Sequence, residues 1–100
     1  MYNNLRPTKQ MDRNFVVETE FLDERDIPLF FGKEEVEKIP ENSTMLDILV
    51  ACGIFRSKGE ARKNGWGDVK KQKIPLGFSE FEVGRLKHKI TVLNPWTKWK

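Results

Sequence analysis

A single cysteine, Cys52, stands in a chain of 100 residues, so no disulfide can form within it, and a reducing compartment is the natural setting. There is also a single histidine, His88. One Cys and one His cannot supply a zinc site of the usual four-ligand kind. No apolar run approaches the ~20 residues that a membrane-spanning helix requires. Met1 to Arg13 is polar and lacks the apolar stretch of a secretory signal. These absences predict a cytoplasmic protein with no membrane role. Nucleotide-binding loops are missing too, since Gly65-Trp-Gly67 fits neither the Gly-x-x-x-x-Gly-Lys-Ser/Thr spacing nor Gly-x-Gly-x-x-Gly.

What is present is enough for one small domain. A chain of this length buries about two-thirds of its unfolded surface, so it can fold alone. The hydrophobic content of 38% is modest and the charged content of 33% is high. Eleven aromatic residues nevertheless argue against a disordered chain.

Charge is unevenly placed. Met1 to Cys52 carries 6 Lys or Arg against 11 Asp or Glu, a net of −5, whereas Gly53 to Lys100 carries 12 against 4, a net of +8. A basic half of this kind points to an anionic partner, nucleic acid first among them. Attraction between the two halves, or a basic face that is merely solvated, would account for the same counts.

Along the chain, residues 1–13 contain Pro7 and no periodicity, and read as a loose arm. Asn14 to Leu22 sets Val17, Thr19 and Phe21 against Glu18 and Glu20, which predicts a half-buried strand. Asp23 to Asp26 reads as a turn. Ile27 to Phe31 is an apolar patch that Pro28 keeps away from the centre of a sheet. The acidic stretch Lys33 to Ile39 reads as a short helix or a linker. Residues 14–45 thus form an acidic strand-and-linker segment ahead of residues 46–100.

Helix signals begin at Thr44. With Asp47 three residues on, Thr44 has capping-box spacing. Leu46, Leu49, Val50 and Gly53 then fall at i, i+3, i+4 and i+7, one helical face, which Gly53 is suited to end. Ser57-Lys58-Gly59-Glu60 is a second capping box, worth about 1 kcal/mol to a short helix. Asn64-Gly65 closes this second helix, so a helix pair joined at Ile54 to Arg56 is expected. Beyond Gly67 the pattern predicts strands at Val69 to Ile74, Ser79 to Val83 and His88 to Leu93, with turns at Pro75 to Gly77 and Gly84-Arg85.

The stretch Leu46-Asp-Ile-Leu-Val-Ala-Cys-Gly-Ile-Phe-Arg-Ser-Lys-Gly-Glu-Ala-Arg62 resembles the opening of an S-four-type RNA-binding domain, closest to the copy at the C-terminus of tyrosyl-tRNA synthetases. There an apolar Leu-Leu-Val-x-Ala-Gly-Leu helix precedes Ser-Lys-x-Glu-Ala-Arg-Arg. Phe31 to Pro40 is similar to the acidic linker before that domain, and Val83 to Leu93 to its final hairpin. After Arg62 this chain departs from the pattern: Lys63-Asn-Gly-Trp-Gly-Asp-Val69 lacks the usual Leu-Ile pair, and Trp66 is the residue to fill that core position. The synthetase catalytic domain has no counterpart here.

The resemblance implies an α+β fold, a small single domain of two short helices packed on a mostly antiparallel sheet, with an extra N-terminal strand. It also implies a non-catalytic protein that grips structured RNA, of tRNA or rRNA type, through basic residues around the start of the second helix. Matched residue by residue, these are Arg56, Ser57, Lys58 and Arg62, with Ser57 as cap and the cations meeting phosphates beside the helix terminus.

The bottom-up reading adds Lys63, then Lys70, Lys71 and Lys73 on the expected basic strand, and Arg85 and Lys87 nearby in sequence. Lysines also guard sheet edges, which is the plainer explanation for them. Trp96 and Trp99, interleaved with Lys98 and Lys100, suit either base stacking or packing on the sheet. His88 shares a strand face with Ile90 and Val92, which makes it structural, and Cys52 reads as a small core residue. The carboxylates between Glu18 and Glu41 read as a solvated surface and not as an acid–base pair. No catalytic residue, cofactor or metal is expected. Two alternatives to RNA remain: DNA binding, and a protein-interaction module using the acidic half and the Ile27 to Phe31 patch.

Overall fold

The computed structural model describes residues 9–95 and shows a small α+β domain. Residues 1–8 of the expected arm, together with Trp96, Lys98, Trp99 and Lys100, lie outside the described residues. Four strands form one sheet in the order β2-β1-β4-β3. They are β1 (Asp12–Glu18), β2 (Glu37–Pro40), β3 (Gly77–Val83) and β4 (His88–Asn94). The expected antiparallel character holds only for the β3–β4 hairpin, because β1 runs parallel to both β2 and β4.

That position explains β1. The strand lies between two partners and is covered on both faces, so Asn14, Phe15, Val16 and Val17 are buried in succession. Parallel central strands read as continuous apolar runs, and the alternation expected over Asn14 to Leu22 is replaced by this run. The strand also starts two residues earlier and stops at Glu18. Thr19 ends it with a turn of its own: its hydroxyl accepts the Phe21 N–H at 3.1 Å and its carbonyl accepts the Leu22 N–H at 3.1 Å.

Phe15, Val17, Ile90 and Val92 face a main core that the helix pair completes, whereas Val16 and Leu93 face the opposite side. There a short helix, α1 (Ile27–Phe31), lays Phe31 against them, with Pro28 in its first turn. Most of the apolar patch expected at Ile27 to Phe31 is therefore a cover for the sheet. The acidic stretch after it is neither helix nor linker throughout, since Glu37 to Pro40 pairs with β1 as an edge strand in which Ile39 is the buried residue. Asn14 ties the intervening loop down, donating from Nδ2 to Glu34 Oε1 and to the Glu35 carbonyl, each at 3.1 Å. Residues 14–45 and 46–95 thus share one sheet and one core.

On the main-core face, α2 (Met45–Ala51) begins as its sequence predicts. The Asp47 carboxylate accepts the Thr44 backbone N–H at 2.7 Å and its hydroxyl at 3.2 Å. The buried stripe is Met45, Ile48, Leu49 and Cys52, with Leu46 beside it, and Val50 is only half-buried. The expected face is thus rotated by one residue. At the other end Gly53 takes φ +78°, its N–H reaching the Val50 carbonyl at 2.9 Å while the Ile54 N–H reaches that of Leu49 at 3.1 Å. This is a Schellman close, which drives Ile54 and Phe55 back into the core.

Helix α3 (Lys58–Ala61) starts at Ser57, whose hydroxyl accepts the Glu60 N–H at 3.1 Å. A wider turn over Arg62 to Trp66 follows, in which Gly65 alone takes positive φ and Trp66 is buried in the main core. The strand expected at Val69 to Ile74 is instead a single helical turn, α4 (Val69–Gln72). Asp68 caps it, its carboxylate accepting the Lys70 N–H at 2.9 Å, and Gln72 donates to the Trp66 carbonyl at 2.7 Å. Among the described residues no helix is long and apolar enough to cross a membrane.

Candidate nucleic-acid interface

All ten residues singled out in the sequence are exposed, but the fold does not gather them into one patch. Lys58 is already engaged: its ammonium lies 2.8 Å from Asp47 Oδ1, tying the start of α3 to the start of α2. Partial burial raises the Asp47 carboxyl, yet Lys58 and the two Thr44 donors outweigh it and hold the group below its ordinary value. Ser57 is occupied as the helix cap. Glu60 answers it by accepting the Arg56 N–H at 2.8 Å, so the start of α3 is closed by the chain's own groups and carries a carboxylate. The idea of a phosphate held at that helix terminus loses its basis, since α3 has only four residues and the Ser57 cap and the Glu60 carboxylate already occupy that end.

The lysines in and just after α4 are placed elsewhere. Lys71 Nζ sits 4.8 Å from the centroid of the Trp66 ring, a cation–π contact. Lys73 shares a shallow cleft with Glu41, Asn42 and Thr44 at the beginning of α2.

Of the remaining cations, Arg85 lines a cleft and Arg56, Lys63 and Lys87 are sequence neighbours of its lining residues. Where the α2–α3 turn approaches the tip of the β3–β4 hairpin, there is a cleft of about 420 Å3. It is lined by Ile54 and Phe55 from the turn, by Gly84, Arg85 and Leu86 from the hairpin tip, and by Asn64 and His88. Arg56 follows Phe55 directly, Lys63 precedes Asn64, and Lys87 stands between Leu86 and His88. Among the described residues Arg56, Arg62, Lys63, Arg85 and Lys87 form no salt bridge with any carboxylate. A cleft lined by one cation, with others next in sequence to its lining residues, can hold phosphates by charge and leave its floor to read something flatter.

Sequence reasoning passed over Asn64, Gly84, Leu86 and His88 as site residues. His88 is 4% exposed and its Nδ1 accepts the Met11 backbone N–H at 2.9 Å, so it does serve the fold; the same ring also forms part of the cleft. Leu86 carried a signal, being a large apolar residue at a hairpin tip, where it is 41% exposed. The two-way packing that creates the cleft depends on residues thirty apart and left no local mark.

Cys52 is a core residue, and burial pushes its thiol up to about 11, which suppresses the reactive thiolate. The acidic half gathers at the β2 edge of the sheet, where Asp12, Glu34, Glu35 and Glu37 border an open depression. Arg13 is salt-bridged to Glu37 there at 2.7 Å. Among the described residues no group of His, Cys, Asp and Glu is placed to hold a metal ion. Comparison with protein-family models, with curated proteins and with solved structures finds no match to this chain.

Proposed function

We propose that this protein is a non-catalytic RNA-binding module of the S-four type, which holds structured RNA of the tRNA or rRNA kind by its backbone. The observation that carries the reading is the meeting of the helix-pair turn and the hairpin tip, which forms a cleft lined by Arg85 and flanked in sequence by Arg56, Lys63 and Lys87. The capped helix pair and the basic half of the chain support it. The interface proposed is this cleft with those cations, while Lys58, Lys70, Lys71 and Lys73 contribute general positive potential. Recognition of this kind reads shape and backbone, with unpaired nucleotides supplying selectivity.

Fluorescence polarisation with labelled tRNA, an rRNA hairpin and duplex DNA tests the proposal. The RNAs bind at ~50 mM salt and weaken steeply as salt rises, and changing Arg56, Lys63 and Arg85 together to Ala removes most of the affinity. Absence of RNA binding at low salt overturns the reading, and preference for the duplex DNA replaces it with a DNA-binding one. The protein-interaction reading has one observation in its favour: Leu29, Leu76 and Phe78 are 80%, 64% and 45% exposed. A stoichiometric protein partner that survives RNase treatment would establish it.

A further inference from the structure

We propose that the cleft beside the hairpin tip takes a single unpaired nucleobase of the bound RNA. This rests on the RNA-binding reading and adds the form of RNA that is selected: a helix with an extruded nucleotide. The cleft's volume of about 420 Å3 lies within the range of small-ligand pockets, roughly 300–1,000 Å3.

His88 supplies the independent pointer. Its Nδ1 accepts from Met11, so the ring proton is on Nε2. In an imidazole the edge opposite Nδ1 is the Nε2–Cδ2 bond. A side-chain carbon placed on Gly84 would lie 3.8 Å from His88 Cδ2 and 3.8 Å from Ile54 Cγ2, which puts that edge under the cleft wall. Gly84 has φ +79°, so the tip is both shaped by a glycine and left open by its missing side chain. The His88 ring is thus a deeply buried donor whose Nε2–H has no acceptor among the described residues, and buried donors call for one.

Asn64 complements it. Its Nδ2 is spent on the Glu60 carbonyl at 2.7 Å, which leaves Oδ1 as an acceptor. One donor and one acceptor in a slot of mixed polar and apolar lining match the edge of a nucleobase, where donors and acceptors stand side by side. Phe55 and Leu86 offer apolar surface to the faces of a flat ring. Arg85, which lines the cleft, meets a flanking phosphate, and Arg56, next in the chain to Phe55, adds positive charge to the RNA backbone. Unpaired bases of this kind are displayed by bulges and loops of structured RNA and are withheld by a continuous duplex.

The test uses two labelled RNA hairpins that differ only by a one-nucleotide bulge, titrated with the full chain. The bulged hairpin binds about tenfold tighter, the scale set by sequestering one base. Leu86→Ala and Asn64→Ala each bring that ratio to within about twofold, while Arg56→Ala weakens both hairpins and preserves the ratio. Equal binding of the two hairpins by the parent protein, with salt dependence retained, overturns the cleft proposal and leaves the RNA reading standing. A ratio untouched by Leu86→Ala and Asn64→Ala also overturns it. Binding to neither hairpin overturns both.

Discussion

Asp47 makes three interactions with one carboxylate: it receives the Thr44 N–H and hydroxyl, and it holds Lys58 at 2.8 Å. It therefore caps α2 and pins the start of α3 to it. Because its partners hold it below the ordinary value of 3.8, its ionised form stabilises the fold above that pH. The contribution disappears as pH falls through the lower, folded value. Asp47→Asn keeps an oxygen for Thr44 but not the charge for Lys58, so it melts a few degrees lower at neutral pH. That gap closes in acid below pH 3.8; thermal melts across the range check it, and a gap that stays constant into strong acid contradicts the assignment. Cys52 gives a second expectation at this scale. With its thiol raised to about 11 by burial, it resists iodoacetamide at mildly alkaline pH in the folded protein and reacts only after denaturant is added. Mass spectrometry of the two samples decides.

At the scale of elements, the helix pair is specified from both ends. Leu49 is fully buried, and its carbonyl accepts the Ile54 N–H that closes α2. Leu49→Ala costs about 2–5 kcal/mol, a large part of the ~5–15 kcal/mol that holds a domain together. Gly53→Ala, which forces a side chain onto φ +78°, costs about 1 kcal/mol or more. Denaturant titration measures both. These elements were legible in the sequence because their signals are local: Thr44 with Asp47, Ser57 with Glu60, and Gly53 lie within one turn of what they cap. The hairpin was legible for the same reason. Strand β2 was not, because Glu37 to Pro40 becomes a strand only by pairing with β1 more than twenty residues away. The turn at α4 was misread as a strand through the apolar ends of Val69 to Ile74, although Asp68 stood in the position of a cap. The rotated stripe of α2 has a similar origin: Met45 and Cys52 join it because the sheet lies on that side, which spacing alone leaves open.

For the whole molecule, the order β2-β1-β4-β3 sends the two ends of the charge distribution to different places. Carboxylates border the depression at the β2 edge, and Arg85 lines the cleft at the hairpin tip, with Arg56, Lys63 and Lys87 next in sequence to its other lining residues. The net charge of +3 understates the field that an approaching polyanion meets on the hairpin side. The charge imbalance was plain in the sequence, but which cations act together was not. Packing of the α2–α3 turn against the hairpin sets Arg85 in a cleft with Phe55, the residue before Arg56, whereas Lys58 and Lys71 are drawn off by Asp47 and Trp66. The central claim is that the cations of this interface contact RNA phosphates. Its most direct measurement is the slope of log affinity against log salt for a labelled tRNA, compared between the parent and a variant with Arg56, Lys63 and Arg85 changed to Ala. Each lost phosphate contact removes roughly 0.7–0.9 from the slope, so the variant is shallower by about 2–3. A variant that binds with the parent's affinity and slope would contradict the account.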